Sequence, residues 1–171
     1  MSWLNKISEL AERYGANAAQ GGETTHEDFQ RVAQSAPQDV VSNGIAHMFR
    51  SDETPAFADM VSSIFGQSNQ TQKAGLLSEL LSSLGPGVLG GLPGLGGLAG
   101  KPGGAAGSDP EVLANQLSPE QVQQIAAHAQ VHDPSIIDRV SRFSAEHPGV
   151  LKAVGSMALG VALKHMMKRA A

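Results

Sequence analysis

Residues 85–107 read GPGVLGGLPGLGGLAGKPGGAAG, a stretch that holds eleven of the chain's 20 glycines and three of its nine prolines. Glycine loses the most backbone freedom on ordering, and proline lacks the donor that helices and strands use, so a long regular element is disfavoured here. On both sides the text turns helix-forming. The break is therefore expected to divide the 171 residues into two small helical blocks, 25–84 and 109–171, joined by a Gly/Pro/Leu-rich linker over 85–108. Residues 1–24 precede them as a separate amphipathic helix and tether. Among the glycines, Leu89, Leu92 and Leu95 recur at three-residue steps, which also makes the linker a candidate contact surface for self or partner.

The expected fold class is all-α, because apolar residues return every three or four positions and no two-residue alternation persists. Residues 2–14 place Trp3, Ile7 and Leu10 on one face. A helix this short is marginal alone in water, so it either docks on the body of the protein or serves as a detachable recognition or membrane-surface element. Thr25, with Asp28 three residues on, marks the start of a second helix, and Pro37 that of a third. Thr54-Pro55 is read as the start of a fourth, with Phe57, Met60, Val61, Ile64 and Phe65 as its buried stripe. Leu76, Leu77, Leu80, Leu81 and Leu84 line a fifth over 72–84. Beyond the break, Asp109-Pro110, Ser118-Pro119 and Asp133-Pro134 each read as helix starts, and Gln121 completes a capping box with Ser118. His147-Pro148 leads into a last helix running from Gly149 to about Arg169.

That last helix is apolar around most of its circumference, and Met157, Val161 and Met166 are its candidate contact residues. Three readings are open: a central core helix, a self-association surface, or a membrane-facing one whose basic end (Lys164, Lys168, Arg169) meets anionic lipid. The last 22 residues carry four basic side chains and no acid, although the whole chain has a net charge of −4. No basic stripe interleaved with aromatics occurs, which argues against nucleic acid as a partner. The absence of cysteine excludes disulfides and thiolate chemistry. No stretch reaches the roughly 18–20 apolar residues that span a bilayer, and no leader-type apolar run opens the chain, so the expected location is cytoplasmic.

Motifs that carry chemistry are sparse. His128 and His132, four apart on one helix, have the spacing that lets two imidazoles share a metal, with Asp133 adjacent and His147 on the next hairpin. No glutamate stands between them in the HExxH sense. Gly85, Gly87 and Gly90 match G-x-G-x-x-G, but a Leu-rich helix precedes them where the dinucleotide motif needs a strand. No nucleophile elbow is present, and Asp52-Glu53 and Glu27-Asp28 sit where acids complement a helix start. No catalytic residue, cofactor or small-molecule substrate is indicated.

The segments FRSDETPAFADMVSSIFGQS, GLLSELLSSLGPGVL, LSPEQVQQIAAHA and HDPSIIDRVSRF resemble a group of uncharacterised bacterial helical proteins and the YidB-like family. The resemblance covers residues 25–165. It implies a bacterial all-helical protein with a variable glycine-rich insert, and it supplies no catalytic residues to carry over. The expected role is that of a non-enzymatic helical interaction or self-assembling protein, an oligomer whose partner is itself or another protein. The alternatives are a peripheral membrane protein using its terminal helices and a His-based metal-binding protein.

Overall fold

In the computed structural model, which describes residues 3–14, 23–84, 91 and 109–170, all regular structure is helical. The all-α expectation holds, and the N-terminal helix is present. The helices are α1 (Trp3–Tyr14), α2 (Glu23–Ser35), α3 (Gln38–Arg50), α4 (Phe57–Gln67) and α5 (Gln70–Ser83). After residues 85–108 come α6 (Pro110–Gln116), α7 (Pro119–His132), α8 (Ile136–Glu146), a 3-10 turn (Pro148–Ala153) and α9 (Ser156–Ala170).

The helices form two compact units, one made of residues 1–56 with 141–171 and the other of residues 57–140. This grouping cuts across the division at the glycine-rich stretch, because each unit takes helices from both sides of it. In the 57–140 unit, α4 packs chiefly on α7, and α5 on α6 and α7. Phe57, Met60, Val61, Ile64 and Phe65 of α4 are buried, as are Val122, Ile125, Ala126 and Ala129 of α7. Complementary spacing on two helices far apart in sequence closes this core. The edges are fastened by polar bonds: Ser62 Oγ donates to the Pro119 carbonyl at 2.9 Å, and Gln123 Nε2 donates to Asp59 Oδ1. Lys73 Nζ lies 5.3 Å from the Phe65 ring centre, within cation–π range.

Both ends of the glycine-rich stretch belong to this unit. Gln70 Nε2 donates to the Glu111 carbonyl at 2.8 Å, which sets the start of α5 beside the start of α6. Over its 14 residues α5 rises about 21 Å, so the chain must return roughly that far from Leu84 to Asp109. About seven extended residues would cover the distance, and residues 85–108 are over three times that number. The stretch thus connects two helices of one unit with length to spare, rather than one helical block to the next.

In the other unit the principal pair is α3 and α9, with α2 against α9, and α1 against both α2 and α9. Ile7 is 3% exposed, so α1 docks. Gly44 on α3 lets α9 come close: a Cβ at that position would lie 2.7 Å from Met166 Cγ and 3.1 Å from the Ala162 carbonyl oxygen. Ala158, Leu159, Ala162, Leu163 and Met166 are buried along the inward face of α9.

Several helix starts stand as the sequence predicts. Asp109 accepts from the Glu111 N–H at 3.1 Å. Ser118 and Gln121 exchange both capping-box bonds, at 3.3 and 2.9 Å. Others differ. Thr25 is not a cap but lies fully buried in the first turn of α2. Thr54 does not start α4, which begins at Phe57; its hydroxyl donates to the carbonyls of Met48 (2.6 Å) and Ser51 (2.9 Å) and fastens the turn after α3. The last helix is split. Pro148 starts a 3-10 turn, closed by Val154 N–H to the Leu151 carbonyl at 3.0 Å, and Gly155 separates it from α9. Asn69 forms a capping box with Gln72 at the start of α5, a signal that the sequence reading passed over.

Candidate functional site

One side of α9 faces outward. Met157, Val161, Lys164 and Lys168 follow one another at four-, three- and four-residue steps and share a stripe, with Gly160 beside it. Its first half is apolar and its second half cationic. Met157 is 68% exposed, and a Cβ built on Gly160 would meet nothing within 4 Å among the described residues, so the surface beside it is open. The inward residues of α9 are the ones that pack, which answers the core-helix expectation and leaves this stripe uncovered by its own unit.

The cationic half borders a cleft of about 460 Å³. One wall is Val161, Lys164, His165 and Lys168 of α9; the other is His47 of α3 with Ser51, Asp52 and Glu53 from the turn that follows. That turn is held by its own bonds. Ser51 N–H donates to the Met48 carbonyl, Glu53 N–H donates to Ser51 Oγ at 3.2 Å, and Thr54 ties both ends. Asp52 and Glu53 are consequently fixed outward and exposed. No ion pair within 4 Å joins these acids to Lys164 or Lys168 among the described residues.

Between the walls, the rings of His47 and His165 stack, with centroids 4.2 Å apart and planes 17° from parallel. Burial pushes the His165 pKa down, and the neighbouring His47, Arg169 and Lys168 push it further the same way. A neutral imidazole suits the stack, because two imidazolium rings at this separation repel. Stacked rings also cannot chelate: ring-nitrogen lone pairs lie in the ring planes, and a zinc ion needs both nitrogens about 2.0–2.1 Å away.

The sequence-predicted metal pair, His128 and His132, lies exposed on the last turns of α7. Asp133 beside them is committed to Ser135, accepting from its N–H at 3.1 Å and its hydroxyl at 2.6 Å, which holds the Asp133 pKa down. His147 packs on the Phe143 ring, centroids 4.9 Å apart. Among the described residues no group of three His, Cys, Asp or Glu side chains could hold a metal ion.

Of the predicted contact residues, Met157 is exposed and Val161 is half-buried at the cleft. Ile7 and Met166 are core residues, because they fall on the inward stripes of α1 and α9; Trp3 is half-buried. Leu89, Leu92 and Leu95, and the side chain of Leu10, lie outside the described residues. The cleft itself had no sequence signal, since His47 and His165 come together only through the packing of α3 on α9. Among the described residues no helix is long and apolar enough to cross a membrane. No protein-family model, curated protein or solved structure matches this chain.

Proposed function

We propose that the protein works by association rather than by catalysis, as a helical interaction protein of the bacterial cytoplasm whose first partner is a second copy of itself. The outward stripe of α9 carries this reading. A large apolar side chain left 68% exposed on a helix whose other face is buried is a surface with no partner among the described residues of its own unit. Gly160 beside it leaves room for another backbone to come near. In the cleft the imidazoles of His47 and His165 lie face to face, an arrangement that does not turn their ring nitrogens toward a shared metal.

Met157→Glu tests the proposal. The wild-type chain is expected to gain mass with concentration in light scattering, and the variant to stay closer to the monomer mass. A wild-type mass that does not change with concentration would overturn self-association. A second reading, peripheral membrane contact, is favoured by Lys164, Lys168 and Arg169 following Met157 along one helix. Co-sedimentation with anionic vesicles, lost in Lys164→Glu/Lys168→Glu, by a wild type whose mass does not change with concentration would support it in place of the first.

A further inference from the structure

The stripe and the cleft carry charges of opposite sign on opposing walls: Lys164 and Lys168 on α9, Asp52 and Glu53 on the turn after α3. All four are exposed, and no ion pair within 4 Å among the described residues links one wall to the other. We infer that this cleft is a reciprocal contact surface for a second copy of the chain, in which the two lysines of each copy face the two acids of the other. The inference rests on the self-association proposed above and names its surface and geometry.

Symmetry makes the charge pattern self-complementary. A two-fold contact presents the same patch from both copies, so residue i of one meets residue j of its partner and j meets i. A patch of one sign would repel itself in that arrangement. A patch with a positive wall and a negative wall pairs twice over when the two-fold axis passes between them. Here the axis would pass near the His47–His165 stack. The His165 ring, stacked on His47 and part-buried, is held toward its neutral form, so it adds no charge at the centre of the contact that would oppose approach. Val161 on the α9 wall and Met157 one turn earlier supply apolar area at one side.

The placement of the acids supports the same conclusion. Asp52 and Glu53 follow the C-terminal end of α3, where the helix dipole favours cations, so they are adversely placed for their own helix. The turn nevertheless holds them rigidly by the Ser51 and Thr54 bonds. An external cation, the lysine pair of a second copy, offsets that disadvantage. Contacts built on exposed charges are screened by salt, so this association weakens as ionic strength rises.

Charge reversal with complementation is the test. One variant carries Asp52→Lys and Glu53→Lys, the other Lys164→Glu and Lys168→Glu. Each alone presents two walls of like sign, and its self-association should weaken by at least about tenfold against the wild type. Mixed together, the two should form heterodimers of near wild-type strength, seen by sedimentation velocity with one variant fluorescently labelled. The neutral set Asp52→Asn/Glu53→Gln and Lys164→Gln/Lys168→Gln serves if a reversed variant fails to give the wild-type helical circular dichroism. Each neutral variant should then weaken association less than reversal does, and mixing should restore part of it, because the mixed pair regains one of the two lysine–acid contacts. A wild type that stays monomeric overturns this inference together with the function proposed above. A wild type that associates while neither reversal alters it, or reversals that both weaken it without restoration on mixing, overturns the inference alone.

Discussion

Gly44→Ala and Gly160→Ala add the same methyl group to two helices of one unit and should change stability in opposite directions. In a helix interior, alanine is favoured over glycine by about 1 kcal/mol. Gly160 should show that gain nearly in full, because a Cβ there meets nothing within 4 Å. Gly44 should not. Its Cβ would lie 2.7 Å from Met166 Cγ, 3.3 Å from Met166 Sδ and 3.1 Å from the Ala162 carbonyl oxygen. Carbon atoms rest at about 3.5–4.0 Å, so α3 and α9 must part by at least roughly 0.8 Å or Met166 must change rotamer. Met166 is fully buried and the carbonyl belongs to the α9 backbone, so neither moves cheaply. Overpacking of this kind costs about 1–3 kcal/mol, which outweighs the propensity gain and leaves a net loss of about 1 kcal/mol. The two variants should therefore differ by about 2 kcal/mol, or roughly 4–8 °C in melting temperature at 2–4 °C per kcal/mol. Circular-dichroism melts at low protein concentration, where association does not contribute, provide the comparison. Met166→Ala should soften the penalty at Gly44 and leave Gly160 unaffected, since it removes the atoms in the way. A Gly44→Ala protein as stabilised as Gly160→Ala would refute the close approach of α3 and α9.

Ser144 is buried on α8, and its hydroxyl has no hydrogen-bond partner among the described residues, so Ser144→Ala should raise stability by about 1 kcal/mol in urea unfolding. The depressed His165 pKa sets a pH dependence: the unfolded chain binds the proton more readily, so stability is full above about pH 6.5 and is lost as pH falls through the lower folded value. Melts between about pH 8 and about pH 5 should show that loss, and His165→Gln should flatten it. Ser118→Ala removes one half of the α7 capping box and should cost about 1 kcal/mol, detectable as earlier exchange of the first α7 amides. Replacing residues 85–108 by about ten Gly/Ser residues should leave the helical signal and its melting intact, because that length still exceeds the return along α5.

The caps at Asp109 and Ser118 were legible because capping chemistry is local: the acceptor, the helix start and the donor all lie within three residues. The buried stripes of α4 and α7 were legible for the same reason, since periodicity is a property of one helix. Thr54 was misplaced because a threonine hydroxyl can serve the helix behind it as well as the one ahead, and only the fold of the turn decides. Pro148 predicts a helix start equally well for a 3-10 turn and for an α-helix, so the break at Gly155 was missed. The partnering of helices was not legible at all. Nothing in α3 or α4 marks that the first packs on α9 and the second on α7, because that choice depends on fit between faces far apart in sequence. The His47–His165 stack, and the opposed acids and lysines around it, follow from that choice and share its invisibility. For the same reason the glycine-rich stretch looked like a boundary between blocks while its two ends lie in one unit.

The outward face of α9 is the proposed contact between copies of the chain. The most direct measurement is sedimentation velocity of the full chain over a wide concentration range at low salt and neutral pH. The proposed contact predicts a sedimentation coefficient that climbs from the monomer toward the dimer value and falls back when salt is added. A coefficient that stays at the monomer value throughout the range, with or without salt, would contradict it.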